Sequence, residues 1–252
     1  MRIAALIAFV LLAVAAEPAG GLVKQGDALY GRYCLSCHGG NGEGTYPART
    51  IGAGPQRNQT QQQAVAPALR GVGARAADFY LRTGYMPLRE IGVQPRRARV
   101  LFSEAQIRAL VAYVASLGTG PAIPKPQPQK GNLAEGLHLF TDHCAGCHQV
   151  VAQGGVVTGA LPPSLEDATN VQIAEAVRIG PYVMPRFSTK SISDRQLDSI
   201  IRYVDYTKHP ENTGGWSIGD IGPVPEGLVT WFIAIVVLVG LCIAIGTRLK
   251  NA

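Results

Sequence analysis

The sequence predicts an all-α protein, with two tandem helical domains of one plan followed by a C-terminal transmembrane helix. Three observations predict it. A set of Gly, aromatic, Cys and His positions between Gly26 and His38 recurs in the same order and spacing between Gly136 and His148. Later in the first half, Ile107, Leu110, Val111 and Val114 are spaced three and four apart, as on a helix face, rather than alternately, as on a strand. Finally, the run from Leu228 to Gly246 is apolar throughout, with only Thr230 as an ordinary polar member.

The N-terminus comes first. Met1 and Arg2 form a short positive stretch, the run from Ile3 to Ala16 is apolar, and Ala13-Val14-Ala15 offers an A-x-A cleavage site. A helix of that length reaches about 21 Å, short of the ~30 Å hydrocarbon core. Residues 1–20 therefore read as an export signal, with a short N-terminal anchor as the alternative.

Domain 1 is assigned to residues 21–118 and domain 2 to residues 132–209. Gly26, Tyr30, Cys34, Cys37 and His38 in the first match Gly136, Phe140, Cys144, Cys147 and His148 in the second. Spacings of four put Gly, aromatic and first Cys on one helix face, with Gly allowing a second helix to come close. Each pair of cysteines belongs to a C-x-x-C-H pentapeptide, Cys34-Leu-Ser-Cys37-His38 and Cys144-Ala-Gly-Cys147-His148. That is the attachment pattern of c-type haem, in which two thiols add to the vinyl groups and the adjacent imidazole reaches the iron. Two covalently bound haem c groups are expected. A zinc half-site or a dithiol redox pair shares the C-x-x-C. Zinc would want four ligands close together, whereas these pairs lie in different domains and each runs straight into His.

Further along, Pro67-Ala-Leu69 matches Pro163-Ser-Leu165, and Met86-Pro87 matches Met184-Pro185. A methionine usually fills a core. Here two stand at equivalent places in two haem domains, so Met86 and Met184 read as the sixth iron ligands opposite His38 and His148. Pro67 and Pro163 are expected to set a backbone carbonyl against the ring N–H of His38 and His148 and so orient the imidazole. The competing imidazoles, His138, His143 and His209, read as ordinary surface or supporting residues. His/Met ligation leaves no open coordination position, so such haems carry electrons and no catalytic site is expected in this chain.

Each domain should close with an amphipathic helix that starts at an S-x-x-Q capping box: Ser103 with Gln106, and Ser193 with Gln196. Tyr113 and Tyr203 would then cross the opening helix near its Gly. Domain 1 is longer than domain 2 around the Gln-rich stretch 51–63 and around 89–99, both expected to be surface loops. Between the domains, residues 119–131 carry Pro121, Pro124, Pro126 and Pro128 and read as an extended polyproline linker, either a spacer or a strap on a surface.

Residues 26–117 hold 11 basic against 5 acidic side chains (net +6), and residues 132–209 hold 6 against 8 (net −2), so the domains should meet different surfaces. Arg89, Arg96, Arg97 and Arg99 crowd one loop, which is either a solvated basic loop or a face for an acidic partner or anionic headgroups. After the juxtamembrane stretch 210–227 comes the transmembrane helix, 228–247, with Trp231 near one end and Arg248 and Lys250 just past the other. The positive-inside bias puts the tail, 248–252, in the cytoplasm and both haem motifs on the extracytoplasmic side of the cell membrane. Cys242, inside the apolar run, reads as a small hydrophobe.

Each half, over residues 24–118 and 132–207, resembles a class I cytochrome c in its Gly-aromatic helix, C-x-x-C-H, Pro-x-Leu segment, Met-Pro loop and closing helix. The stretch Gly214-Gly215-Trp-Ser-Ile-Gly219-Asp-Ile-Gly222-Pro223 through Glu226-Gly227, running into the anchor, resembles the dihaem cytochrome c subunit (cytochrome cc) of actinobacterial-type menaquinol cytochrome bcc complexes. The resemblance implies electrons arriving from a Rieske iron-sulfur protein beside cytochrome b and leaving for an aa3-type cytochrome c oxidase. The short N-terminus departs from that family, whose members carry a longer basic leader and a full span. Two other readings remain: the dihaem subunit of a cbb3-type oxidase, disfavoured by the C-terminal anchor, and a dihaem peroxidase, which needs a vacant iron position. No nucleotide-binding loop, hydrolytic triad or quinol pocket stands out, and no nucleic acid partner is expected.

Overall fold

Gly26 and Gly136 decide how the halves pack. In the computed structural model, which describes residues 19–45, 66–88, 95–210 and 223–250, each lies where an opening helix crosses a closing helix. The first half consists of α1 (Ala19–Tyr33), α2 (Leu35–His38), α3 (Gly73–Arg82) and α4 (Glu104–Ser116), and the second of α5 (Leu133–His143), α6 (Ala145–His148), α7 (Asn170–Ile179) and α8 (Asp194–Lys208). Among the described residues there is no β-strand, only an isolated bridge between Val157 and Ala160. Residues 1–18, the Gln-rich stretch 51–63, Arg89 and the glycine-rich segment 214–222 lie outside the described residues.

A Cβ on Gly26 would meet the Ala109 carbonyl of α4 and stand 2.6 Å from the Tyr113 Cβ. On Gly136 it would meet the Ser199 carbonyl of α8 and stand 3.0 Å from the Tyr203 Cβ. Below each crossing lies one core. Tyr30, Phe102, Ile107, Leu110, Val111 and Val114 form the first, and Phe140, Ile173, Val177, Ile192, Ile200 and Val204 anchor the second. Burying each large apolar side chain contributes about 1.5–3 kcal/mol, which is what holds four short helices together. The Tyr30 and Tyr113 rings lie 4.9 Å apart and the Phe140 and Tyr203 rings 5.3 Å apart, so the aromatic positions of the repeat meet at the crossing.

Polar side chains fix where the helices begin. Ser103 and Gln106 exchange hydrogen bonds at the start of α4, and Ser193 and Gln196 do so at α8. Thr169 and Gln172 form a third capping box at α7, and Asn132 Oδ1 accepts from Glu135 N at α5. Each third helix is also tied to the first residue of the closing helix: Arg82 donates to Glu104 at 2.7 Å, and Arg178 to Asp194 at 2.7 Å.

The linker is a strap. Arg75 N donates to the Pro121 carbonyl at 3.1 Å, Ile123 packs on the first core, and Gln127 N donates to Asp198 Oδ1 at 2.7 Å. Before Asn132 it tightens into a short 3₁₀ turn at Pro128–Lys130. The two halves also touch through α3 and α7. Arg97 Nη2 crosses to the second half, donating to the Asp167 carbonyl at 2.9 Å and to Gln172 Oε1 at 3.2 Å. Arg97 thus stays exposed yet clasps the N-terminal cap of α7, a tie between the halves that the reading of a basic surface loop did not include.

Considered by itself, α9 (Pro223–Lys250) has 28 residues and about 42 Å of length. It holds the one helix among the described residues that is long and apolar enough to cross a membrane, Gly227–Lys250.

Candidate haem-binding sites

The two C-x-x-C-H motifs adopt one backbone. Each first Cys ends an opening helix by donating to the aromatic residue four positions back, Cys34 N to Tyr30 O and Cys144 N to Phe140 O, both at 2.8 Å. The following helical turn carries the second Cys and the His. The chain then folds back, with Gly44 N on His38 O at 2.8 Å and Gly154 N on His148 O at 2.9 Å. Leu69 N on Gly42 O and Leu165 N on Ala152 O draw the Pro-x-Leu segments against this loop.

That folding brings Pro67 to His38 and Pro163 to His148. The Nδ1–H of His38 donates to the Pro67 carbonyl at 2.9 Å, and that of His148 to the Pro163 carbonyl at 3.0 Å. A carbonyl only accepts, so Nδ1 is the donor in each ring, and in the neutral imidazole that tautomer leaves the Nε2 lone pair for a metal. Burial holds the His148 imidazole below its ordinary pKa, which keeps that lone pair available. Two tyrosines steady the backbone just past each His, from different helices: Tyr30 Oη of α1 donates to Gly39 O at 2.7 Å, and Tyr203 Oη of α8 to Val150 O at 2.8 Å.

Cys34 and Met86 both pack against the first core, and Cys144 and Met184 against the second. The Met86 backbone is held by Met86 N on Tyr80 O at 3.0 Å and that of Met184 by Met184 N on Pro181 O at 3.1 Å. Arg178, only 6% exposed, fixes the stretch beyond Met184 by donating to the carbonyls of Phe187 and Ile192 as well as to Asp194. Apolar side chains beside the donors face outward: Val150, Val151 and Val156 after His148, Tyr182 and Val183 before Met184.

The donor set fits a haem c. In each half one thiol and a thioether pack on an apolar core, with the second thiol and an imidazole held by its Pro carbonyl on the adjoining helical turn, a lining suited to a planar, largely apolar macrocycle. The first thiol of each motif is unsuited to be the attacking group of a dithiol redox pair, since burial pushes Cys34 up to about 11 and Cys144 up to about 12. Among the described residues no three His, Cys, Asp or Glu side chains gather as a zinc site would require. Two of the competing imidazoles are otherwise engaged: His138 pairs with Asp142 at 2.9 Å on α5, and His143 packs on the Phe187 ring.

The paired ties Arg82–Glu104 and Arg178–Asp194 escaped sequence reasoning. Their signal was present, since the arginines repeat at the same offset as the flanking Pro-x-Leu segments and the acids at the same offset as the capping boxes.

Residues 23–118 match the family model for cytochrome c, and residues 131–204 that for cytochrome c oxidase, cbb3-type, subunit III. The chain is 35% identical over 246 residues to the cytochrome bc1 complex cytochrome c subunit of Mycobacterium tuberculosis (strain ATCC 25618 / H37Rv), covering 94% of this chain and 82% of that one. The subunit of the same description from Corynebacterium diphtheriae is 32% identical over 255 residues, covering 94% and 85%. Among solved structures, reduced recombinant cytochrome c4 from Pseudomonas stutzeri matches at 21% identity over 72% of this chain and 96% of its own, with a TM-score of 0.25. The relatives align along both C-x-x-C-H halves and nearly the whole chain, and the protein belongs to the family of cytochrome bc1 complex cytochrome c subunits.

Proposed function

We propose that this chain is the membrane-anchored dihaem relay of a quinol:cytochrome c reductase, taking electrons from the Rieske protein beside cytochrome b and passing them to an aa3-type oxidase. The observation that carries this reading is the repeated donor set, Cys34, Cys37, His38, Pro67 and Met86 in one half and Cys144, Cys147, His148, Pro163 and Met184 in the other. Haem c, when bound, supplies an iron that takes up and gives back one electron at a time.

The chain's own residues do the rest. The thiols of Cys34 and Cys37, and of Cys144 and Cys147, would hold the macrocycle. His38 and His148 would offer Nε2 to its iron, each ring oriented by its Pro carbonyl. Met86 and Met184 would offer sulfur to the same iron, a donor that favours a higher potential than a second His. The cores around Tyr30 and Phe140 exclude water. Arg248 and Lys250 at the end of α9 favour a cytoplasmic C-terminus, with both haem halves on the extracytoplasmic side.

The cbb3-type oxidase subunit remains the second reading, since that family model matches residues 131–204. It covers the second half alone, whereas the bc1 relatives align with 94% of the chain. Mild-detergent purification of the chain from its native membrane, followed by reduced-minus-oxidised spectra, tests the proposal. Haem b copurifying with haem c is the expected result, and haem a in the same preparation supports the aa3 link. Haem c alone under the gentlest conditions would overturn the place in a reductase and leave a free-standing relay or an enzyme, and peroxide turnover by the isolated chain would favour a peroxidase.

A further inference from the structure

The contact between α3 and α7 holds an unusual set of charges. Glu175 of α7 is 0% exposed, and neither of its carboxylate oxygens has a hydrogen-bond partner. From α3, Arg75, Asp78 and Arg82 face it. Asp78, 4% exposed, is taken up by Arg82 at 2.8 Å, and Arg82 also reaches Glu104 of α4. Arg178, three residues along α7, is taken up by Asp194 of α8. Arg97 is bound to Gln172 on the same helix. Arg186, just after the Met184-Pro185 pair, and Arg178 both repel Arg75, whose Nε is buried and unpartnered too.

Ion pairs thus account for Asp78, Arg82, Glu104, Arg178 and Asp194. Two buried polar groups are left over, Arg75 Nε and the Glu175 carboxyl, and only the carboxyl can change its charge near neutral pH. Burial pushes it up to about 8, with Asp78 adding to the rise and Arg82 and Arg75 opposing it. Its helix leads directly into the Met184 segment, since Gly180 ends α7 and Phe187 N donates back to Val177 O at 2.9 Å.

We propose that Glu175 is a redox-linked proton site between the two haem halves, protonated when the haem irons are reduced and deprotonated when they are oxidised. The inference rests on the dihaem reading above. One proton accompanies the two electrons that reduce both irons: the electrons come from the reductase, the proton comes from solvent, and its O–H bond forms on a Glu175 carboxylate oxygen. On oxidation the electrons leave for the acceptor, that O–H bond breaks, and the proton returns to solvent. The coupling is electrostatic: a ferric centre carries one more positive charge than a ferrous one and favours the carboxylate, an effect enlarged by the low dielectric of the contact.

The test is a potentiometric titration of haem c in the purified complex, from about pH 6 to about pH 10. The native chain should hold its electrons less tightly as pH rises through the Glu175 transition, by up to about tenfold in the redox equilibrium per pH unit at full coupling. Glu175→Gln, a neutral mimic of the protonated form, should keep the low-pH potential across that window. Arg75→Gln removes a cation that favours the carboxylate, so it should move the transition to higher pH. Redox-difference infrared spectra of the native complex should show a protonated carboxyl band gained on reduction and absent in Glu175→Gln. The same pH dependence in native and Glu175→Gln chains would overturn the inference. If that variant does not assemble, an unmoved transition in Arg75→Gln together with no carboxyl band in the native spectrum would overturn it. Two c haems with pH-independent potentials sink this inference alone, whereas a chain that binds no haem c sinks the dihaem reading with it.

Discussion

The Ser199 carbonyl of α8 occupies the place where a Cβ on Gly136 of α5 would lie. The obstacle is backbone, so no side-chain rotation relieves it. Gly136→Ala must push the two helices apart along the second core, at a cost of about 1–3 kcal/mol. Gly26→Ala should cost a similar amount against the Ala109 carbonyl. Gly31, on the exposed side of α1 with nothing within 4 Å of a built Cβ, is the control. Gly31→Ala should stabilise by about 0.5–1 kcal/mol, as Ala does in a helix interior. Denaturant unfolding of the purified holoprotein, followed by the haem spectrum, separates the three.

Those crossings were legible in the sequence because a Gly, an aromatic and a Cys spaced by four define a helix face whatever surrounds it. The capping boxes at Ser103 and Ser193 were legible for the same local reason. Arg97 was not, because its acceptors, the Asp167 carbonyl and Gln172, lie 70 and 75 residues away and belong to the other half. Nor was the strap, since Pro spacing sets the local backbone of 119–131 but says nothing of the Ile123 and Gln127 anchors. Glu175 stands on the side of an amphipathic helix that sequence would assign to solvent, and only contact with α3 buries it.

Arg178 carries a second prediction. It supplies three hydrogen bonds from a nearly buried position, to the carbonyls of Phe187 and Ile192 and to Asp194. Arg178→Met keeps most of the side-chain volume but strands both carbonyls, at a cost of about 2–4 kcal/mol. The damage should concentrate in the segment after Met184. Hydrogen exchange should speed up at residues 187–192 and leave the first half unchanged.

A third prediction tests the two methionines proposed as iron ligands one at a time. Met184→Ala should remove the low-spin, sulfur-ligated signature from about half of the haem c, and Met86→Ala from the other half. Each variant should also lower one of two potentials and leave the other near its native value. Optical and paramagnetic resonance spectra taken during a redox titration report both effects. An unchanged spectrum with unchanged potentials would remove the substituted Met from the ligand set.

The last prediction concerns stability against pH. Burial raises the Glu175 carboxyl from an ordinary value of 4.5 to about 8, so the folded state holds its proton more tightly than the unfolded chain does. Its contribution is fully present below pH 4.5, declines as pH rises toward 8, and is gone above that. The steepest decline is about 1.4 kcal/mol per pH unit. Glu175→Gln cannot ionise and should lack the decline. Unfolding free energies of the reduced holoprotein, the form in which Glu175 holds its proton, measured for both chains across that range, should coincide in acid and diverge toward pH 8, with the variant the more stable. Parallel curves would mean that Glu175 reaches solvent in the folded protein, and that the α3–α7 contact opens to let water in.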